Sequence, residues 1–392
     1  MKIVIAPDSF KGSISARKAA LAIQEGILRV GPDIETVIVP MADGGEGTVE
    51  SLVDATNGHL QEAVVKDPLG RDVNAVYGIL GHDNTCVIEI ASASGLPLLK
   101  KEERNPMLTT SYGTGQLILH ALDKGCRKFV IGLGGSGTND GGAGMLQALG
   151  IRLLDSAGDD LSFGGGNLNL LADIELNGMD PRVREAEFII ACDVDNPLIG
   201  LNGASAVYGP QKGATPEMVE LLDSNLAHYA NRIEMKTNIS IHHNLGAGSA
   251  GGLGGAFQAF FNARMERGID IIMKQTGLKQ KLDGASLVIT GEGQIDFQTA
   301  RGKTPAGVAQ LAKSLGIPTF AIVGGIGSGI DQLRTIGIEA VFSIVNKPMD
   351  IEEAMKNSYD LLSSTAEQVM RVYISSLTQL SQKPDFFRDC IL

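Results

Sequence analysis

Short apolar runs alternate with longer amphipathic stretches near both ends of the chain. Apolar, β-branched residues at 2–6 and 35–39 predict two buried strands. Between them, apolar residues recur every three or four positions from about residue 15 to Gly31-Pro32, which predicts an amphipathic helix that ends there. After residue 286 the alternation returns, with strands predicted at 287–290, 319–323 and 340–344 and a last helix at 351–377. This order predicts a parallel sheet with helices on its faces.

The middle of the chain has a different pattern. Strands predicted at 63–65, 73–79 and 87–90 follow one another without helices between them, which indicates a mixed or antiparallel region. We therefore predict an α/β protein of two domains. Residues 1–60 and 283–392 form a discontinuous Rossmann-like domain with a parallel sheet. Residues 61–282 form a second, glycine-rich α/β domain that is inserted into the first.

Composition narrows the function. The chain has 50 glycines among 392 residues, clustered in loops as expected where backbone approaches a ligand closely. The formal net charge of −12 argues against nucleic-acid binding, which needs concentrated positive charge. No apolar stretch approaches the ~18 residues of a membrane span, and the four cysteines form no CxxC pair. We expect a cytoplasmic protein that binds neither nucleic acid nor membranes.

Small donors and carboxylates follow five of the predicted strands. These loops are residues 8–13, 42–48, 134–142, 193–197 and 291–296. In open parallel sheets, ligands bind beyond the carboxyl ends of the strands. The repeated pattern therefore predicts an active site rather than five ordinary turns.

Three glycine patterns along the chain suggest other chemistry. Gly132-x-Gly134-x-x-Gly137 and Gly246-x-Gly248-x-x-Gly251 fit the dinucleotide fingerprint. They leave an NAD-dependent hydroxy-acid oxidoreductase as an alternative. Gly302-Lys303-Thr304 resembles the end of a Walker-type loop, but Phe297 stands where the first glycine is required, so we do not expect a P-loop NTPase.

Six motifs, in order along the chain, resemble the class I glycerate kinase family. They are residues 7–12, 42–48, 134–142, 192–198, 208–214 and 291–296. The resemblance runs to about residue 375, and residues 379–392 extend beyond it. It implies a two-domain α/β enzyme that phosphorylates D-glycerate with ATP and Mg²⁺, typically on the 2-hydroxyl.

Phosphoryl transfer requires carboxylates for Mg²⁺, donors for phosphate oxygens and a group that positions the attacking hydroxyl. We predict Asp193 or Asp195 as the group that accepts the hydroxyl proton, with Lys11 and Lys303 offsetting developing charge. Glu292 and Asp296 are the predicted Mg²⁺ ligands. The predicted substrate- and phosphate-binding residues are Asp8, Ser9, Asp43, Gly45, Ser136, Thr138, Asn139, Asp140 and Lys212.

Several alternatives stay open at the level of sequence. Phosphorylation at the 3-hydroxyl fits the same motifs, because carboxylate-rich loops can exchange roles. A non-catalytic sensor of hydroxy acids on the same scaffold is a further alternative. A homodimer is compatible with the sequence.

Overall fold

The computed structural model describes residues 1–45, 47–297, 299 and 303–382, with only the backbone described for 379–382. Its strands are β1 (Lys2–Ile5), β2 (Glu35–Ile38), β3 (His59–Lys66), β4 (Asp72–Ile79), β5 (Cys86–Glu89), β6 (Lys128–Gly132), β7 (Arg152–Leu154), β8 (Asp173–Glu175), β9 (Glu187–Ala191), β10 (Ala263–Glu266), β11 (Leu287–Thr290), β12 (Gln294–Ile295), β13 (Thr319–Val323), β14 (Gly325–Ile326) and β15 (Ile338–Ser343).

The α-helices are α1 (Ala16–Val30), α2 (Thr48–Thr56), α3 (Ala91–Ser94), α4 (Tyr112–Asp123), α5 (Ala143–Ala148), α6 (Pro181–Glu185), α7 (Ala204–Tyr208), α8 (Pro216–Thr237), α9 (Leu253–Phe260), α10 (Gly268–Gln275), α11 (Leu278–Lys281), α12 (Thr304–Ser314), α13 (Ile351–Lys356) and α14 (Ser358–Gln382). Short 3₁₀ helices span Leu96–Leu98, Lys101–Glu103, Gly165–Leu170, Pro210–Lys212, Ser249–Gly252 and Ile330–Ile336. The chain divides into two compact units: unit 1 comprises Met1–Asp43 and Ile272–Leu392, and unit 2 comprises Gly44–Ile271.

Unit 1 is built on a five-stranded parallel sheet in the order β15-β13-β11-β1-β2. Apolar β1 lies between β11 and β2, where Ile5 pairs with Ile289 on one side and Ile38 on the other. In the unit's own chain order the strands run 2-1-3-4-5, so the winding direction reverses between β1 and β11. Such a reversal opens a crevice at the carboxyl ends of the two strands, where ligands bind in doubly wound sheets.

Helix α1 covers one face of this sheet and packs against α14. The Ser15 side chain accepts a hydrogen bond from the Lys18 amide and so caps the start of the helix. The helix ends at Gly31, as the Gly31-Pro32 pair predicts. Gly26 lies against α14 so closely that a Cβ there would collide with the Ser363 carbonyl oxygen. The helix pair therefore requires glycine at this position.

Unit 2 contains a six-stranded mixed sheet in the order β10-β9-β6-β5-β4-β3. Strands β5, β6, β9 and β10 are parallel, while β3 and β4 are antiparallel. The prediction of a mixed region with antiparallel strands is therefore confirmed. Phe129 of β6 stacks on Phe188 of β9 with ring centroids 4.8 Å apart, inside the apolar core of the unit.

The two units divide the chain at other positions than the predicted boundaries of 60/61 and 282/283. Helix α2 belongs to unit 2, because Val49 and Val53 pack against Gly78 of β4. The chain returns from unit 2 to unit 1 within α10, between Ile271 and Ile272.

The predicted last helix is two helices, α13 and α14, separated at Asn357. The Asp350 side chain accepts from the Glu353 amide and starts the short α13, which Asn357 ends with φ −101° and ψ 14°. Helix α14 extends to Gln382, and residues 383–392 of the predicted extension lie outside the described residues. Within the described ranges, no helix is both long and apolar enough to cross a bilayer.

Candidate active site

The loops that follow β1, β2 and β11 line a cavity of about 560 Å³ in unit 1. It lies at the crevice that the strand order predicts, between β1 and β11. Six of the predicted site residues line it: Asp8, Ser9, Lys11, Asp43, Glu292 and Lys303. The volume is within the usual range for sites that bind a small molecule or cofactor.

Asp8 is a nearly buried carboxylate, 7% exposed, at the base of this cavity. The Ser9 amide donates to its Oδ1 at 2.6 Å, and Thr304 Oγ1 donates to its Oδ2 at 2.6 Å. Burial, helped by the nearby charge of Asp43, raises the pKa of Asp8 to about 6. The side chain is therefore fixed in position but disfavoured as an anion.

Glu292, at the end of β11, has the same character. Thr299 Oγ1 donates to its Oε1 at 2.7 Å. Burial raises the pKa of Glu292 to about 7, with smaller upward effects from Asp8 and Asp296 and a downward effect from Lys303. Asp296 is therefore close to Glu292, although it is not among the residues that line the cavity.

These carboxylates fit a hard divalent cation. Asp8, Asp43 and Glu292 supply only oxygen ligands, and their mutual repulsion would be relieved by a bound positive ion. Across the described residues, no group of three or more potential ligands is arranged to hold a metal by itself. Mg²⁺ is usually held by one or two carboxylates together with phosphate oxygens and water.

Two lysines add positive charge to the same cavity. Lys11 is 64% exposed in its side chain, and its Nζ lies 3.5 Å from Asp43 Oδ2. Lys303 is the N-cap residue of α12, where backbone amides favour anions. Gly302, which completes the Walker-like pattern, lies outside the described residues.

A second cluster of predicted residues lies in unit 2, in the loop after β6. Lys212, in the 3₁₀ helix that precedes α8, is 1% exposed beneath this loop. Its Nζ donates to Ser136 Oγ at 2.8 Å and to the Thr138 carbonyl oxygen at 2.7 Å. Burial lowers the pKa of Lys212 to about 7, an effect that the charge of Asp140 partly opposes. The hydrogen bond from the amine orients the Ser136 hydroxyl, which is buried with 8% exposure.

Asp140 is fully buried and serves the loop itself. Its Oδ2 accepts from the Ser111 amide, the Ser111 hydroxyl and the Gly144 amide, and its Oδ1 accepts from the Gly142 amide. Burial raises the pKa of Asp140, and these four donors oppose that effect. Because they hold the loop to the start of α5, Asp140 supports the loop rather than presenting oxygens to a ligand.

Asn139 lies beside it, and its Nδ2 donates to Ser205 Oγ at 2.9 Å. Two buried polar atoms of the same loop, Thr138 Oγ1 and Asn139 Oδ1, have no hydrogen-bond partner among the described residues. Gly141 adopts φ +63°, and a Cβ there would lie 2.6 Å from the Tyr229 ring. The glycine-rich sequence is therefore required for the loop to pack this closely.

The remaining candidates also belong to unit 2. Asp193 follows β9, and its Oδ1 accepts from the Gly268 amide at 3.0 Å, at the first residue of α10. Asp195 is exposed two residues further along the same loop. Gly45 lies next to Gly134 of the loop after β6, since a Cβ on Gly134 would be 3.2 Å from the Gly45 Cα.

The two dinucleotide-like patterns lack the structure that the fingerprint requires. After Gly132-x-Gly134-x-x-Gly137, the next helix is α5, which begins only at Ala143. Gly246-x-Gly248-x-x-Gly251 follows α8 and a loop, with no strand directly before it in the described chain. A pyrophosphate site needs strand, tight turn and helix in immediate succession, so this geometry does not favour NAD.

Several residues that complete the site were absent from the sequence-based prediction. Thr304 and Thr299 fix the carboxylates of unit 1, and Ser111 and Ser205 fix the loop of unit 2. Thr304 belongs to the Walker-like pattern Gly302-Lys303-Thr304 but was not predicted as a site residue. The other three carried no motif that would have identified them.

Comparison with known proteins identifies the family of this chain. The glycerate kinase family profile matches residues 3–374. A glycerate kinase of Bacillus subtilis (strain 168) is 49% identical over 369 residues, covering 94% of this chain and 97% of the relative. A glycerate 2-kinase of Escherichia coli (strain K12) is 47% identical with the same coverage.

A crystal structure from Salmonella typhimurium LT2, assigned there as a glycerate kinase 2, superposes with a TM-score of 0.89 at 47% identity. It covers 96% of this chain and 99% of its own. The chain belongs to the glycerate kinase family, and it is an enzyme with a mixed α/β fold.

Proposed function

We propose that this enzyme transfers the γ-phosphoryl group of ATP to the 2-hydroxyl of D-glycerate in a Mg²⁺-dependent reaction. The observation that carries the proposal is the similarity, over 94% of the chain, to a relative named for 2-phosphorylation of glycerate. The cavity of unit 1 supports it, because it combines carboxylates with lysines as phosphoryl transfer requires. We also propose a cytoplasmic location, which agrees with the free thiols Cys86, Cys126 and Cys192.

Glu292, together with Asp8 or Asp296, would hold Mg²⁺, which when bound neutralises charge on phosphate oxygens. Lys11 and Lys303 would bind the phosphates from the cavity wall. The exposed Lys11 can follow the transferred group, whereas Lys303 is anchored at the start of α12. Ser9 and Asp43 complete this wall.

In unit 2, Ser136 and the backbone of the loop after β6 would donate hydrogen bonds to an anionic group of the substrate. Lys212 supports them from below, since its amine holds both Ser136 Oγ and the Thr138 carbonyl. A positive charge removed from water interacts more strongly with an anion than an exposed one does. Thr138 and Asn139 contribute buried polar atoms to the same loop.

A carboxylate of the loop after β9 would accept the proton of the attacking hydroxyl. Asp193 and Asp195 both remain candidates. We favour Asp193, because the hydrogen bond from the Gly268 amide holds its carboxylate in place. An oriented base loses less conformational freedom when it engages the substrate.

The test is ADP formation by the purified protein with Mg-ATP and D-glycerate, followed by addition of enolase. We expect glycerate-dependent turnover and a product that enolase consumes directly, which identifies the 2-phosphate. The Asp193→Asn variant, purified in the same way, controls for contaminating kinases.

A product that enolase accepts only after phosphoglycerate mutase is added would identify the 3-phosphate instead. Absence of ADP formation with both D- and L-glycerate would contradict the proposed activity. Nicotinamide absorbance with hydroxy acids would then test the oxidoreductase alternative. Thermal stabilisation by glycerate without turnover would favour the sensor.

A further inference from the structure

The cavity of unit 1 has a second wall that the proposed chemistry does not use. Part of its lining is aliphatic and thioether-containing, contributed by the segment after β15 and by α13. These side chains, called the apolar wall below, are Ile344, Val345, Met349, Ile351, Ala354 and Met355, and the same segment also contributes Asp350. The cavity therefore combines charged and apolar lining.

Two side chains of the apolar wall are exposed to solvent. Ile351 is 74% exposed and Val345 is 42% exposed, whereas Ile344 is 2% exposed. Exposed aliphatic surface of this kind is unfavourable in water, at about 25 cal/mol per Å². A ligand with an apolar face would remove this surface from water.

The two walls are joined by the loop that follows β1. Ser13 Oγ donates to the Met355 carbonyl oxygen at 2.8 Å. Gly12, with φ +77°, lies so near the same residue that a Cβ would be 2.9 Å from Met355 Cε. The loop that contributes Ser9 and Lys11 to the charged wall thus also contacts the apolar wall, so one ligand can touch both.

The two proposed reactants differ in their apolar surface, and this difference indicates which of them the apolar wall binds. Every carbon of glycerate carries oxygen, so the acceptor has no apolar surface to place there. ATP has both an anionic triphosphate and a flat purine ring. Methionine side chains adapt their shape to such rings and make favourable sulfur–aromatic contacts.

We propose that the apolar wall of the cavity binds the adenine base of ATP, with Ile351, Ala354 and Met355 against the ring and the triphosphate directed to Lys11 and Lys303. This inference rests on the proposed kinase function. It adds the nucleotide subsite, and it assigns the segment from Ile344 to Met355 the role of recognising the base.

The chain has no tryptophan, which provides a direct probe. In an Ile351→Trp variant the introduced indole is the sole tryptophan and lies at the apolar wall. We expect saturating ATP to quench or shift its fluorescence, whereas inorganic triphosphate does not. Glu352→Trp is the matched control, because Glu352 is the next residue of α13, is exposed and does not line the cavity. Its fluorescence should respond to neither ligand.

A filling variant gives an independent measurement. Ala354→Trp should raise the Kd of ATP by about tenfold or more while leaving the Kd of inorganic triphosphate within about twofold. For the wild type, calorimetry should give tighter binding of ATP than of triphosphate, a comparison that does not depend on the folding of any variant. Turnover assays of Ala354→Trp should show a raised KM for ATP and an unchanged KM for glycerate.

Equal affinities of the wild type for ATP and triphosphate would overturn the inference. So would normal turnover of Ala354→Trp with an unchanged KM for ATP, a result that leaves the proposed kinase activity intact. Conversely, base-dependent ATP binding without glycerate-dependent turnover would support the nucleotide subsite and contradict the proposed acceptor. The two proposals can therefore fail separately.

Discussion

Lys11 of unit 1 and Lys212 of unit 2 each directly precede a glycine with positive φ, yet the environments of their charges are opposite. Lys11 is 64% exposed, and its partner Asp43 lies 3.5 Å away. Lys212 is 1% exposed and is held by Ser136 Oγ and the Thr138 carbonyl. The cavity of unit 1 can thus adjust its charges to a ligand in solvent, whereas the loop of unit 2 is organised before a ligand arrives. A buried charge orients its partners but lowers the stability of the fold. An exposed charge imposes little orientation and changes the stability little.

The largest effect is expected at Asp193, which is exposed like Lys11 but oriented like Lys212. Asp193→Asn should lower kcat by about 10²–10⁴, because the amide cannot accept the hydroxyl proton. The amide oxygen can still accept from the Gly268 amide, so Tm and the Kd of ATP should change little. Steady-state kinetics, calorimetry and thermal melting measure the three quantities. Asp195→Asn is the paired variant, and a larger loss of kcat there would identify Asp195 as the base. Normal kcat with a lowered Tm would make Asp193 a helix cap only.

The next effect separates the two units by stability. Asp140→Asn replaces an acceptor of four hydrogen bonds by a group that must turn a donor toward at least one amide. We expect the free energy of unfolding to fall by about 3 kcal/mol. Asp8→Asn in unit 1 should change it by less than about 1 kcal/mol, because burial already disfavours the Asp8 anion.

Urea denaturation followed by circular dichroism measures both variants, with the exposed Asp159→Asn as a control that should leave stability unchanged. Equal destabilisation by Asp140→Asn and Asp8→Asn would remove the distinction between a rigid loop and an adjustable cavity.

The smallest effect concerns pH. Because the pKa of Lys212 is about 7 in the folded protein and 10.5 in the unfolded chain, the unfolded chain binds more protons between these values. Stability must therefore rise with pH across this window, by up to about 1.4 kcal/mol per unit. Urea denaturation at pH 7 and pH 9 measures this effect. The free energy of unfolding of the wild type, relative to that of Lys212→Met, should be larger at pH 9 than at pH 7.

Lys11→Met is the matched control for this measurement, since it removes an exposed lysine, and its difference from the wild type should not depend on pH. A flat difference for Lys212→Met as well would mean that the buried amine keeps its charge.

The sequence predicted the strands of unit 1 well because each is a short apolar run with a clear end. Strands β11 and β13 have the predicted bounds. The sequence predicted one helix over 351–377, where the structure has the two helices α13 and α14. The periodic apolar residues on which that prediction depended lie in α14, and the start of α13 depends on a cap from Asp350. Apolar periodicity also gave no indication of which sheet α2 would cover.

The candidate site was predicted as loops but not as contacts. Asp8, Ser136 and Glu292 were predicted as site residues because each follows a strand. In a parallel sheet, ligands bind beyond the carboxyl ends of the strands. The partners that hold them lie far along the chain: Thr304 is 296 residues from Asp8, and Lys212 is 76 residues from Ser136. Local pattern contains no information on such pairs, nor on whether a lysine is buried.

The strand order of unit 1 also affects how the chain folds while it is being synthesised on the ribosome. β1 leaves the exit tunnel early, but its central partner β11, where Ile289 pairs with Ile5, follows roughly 280 residues later. At ordinary rates of synthesis the wait is on the order of 15–55 s. During that time α1 also lacks α14, so its buried stripe of Ala19, Ala20, Ile23 and Ile27 has no cover. Residues 44–271 are complete and able to fold meanwhile, so the nascent amino-terminal segment is the part of the chain that trigger-type chaperones would be expected to shield.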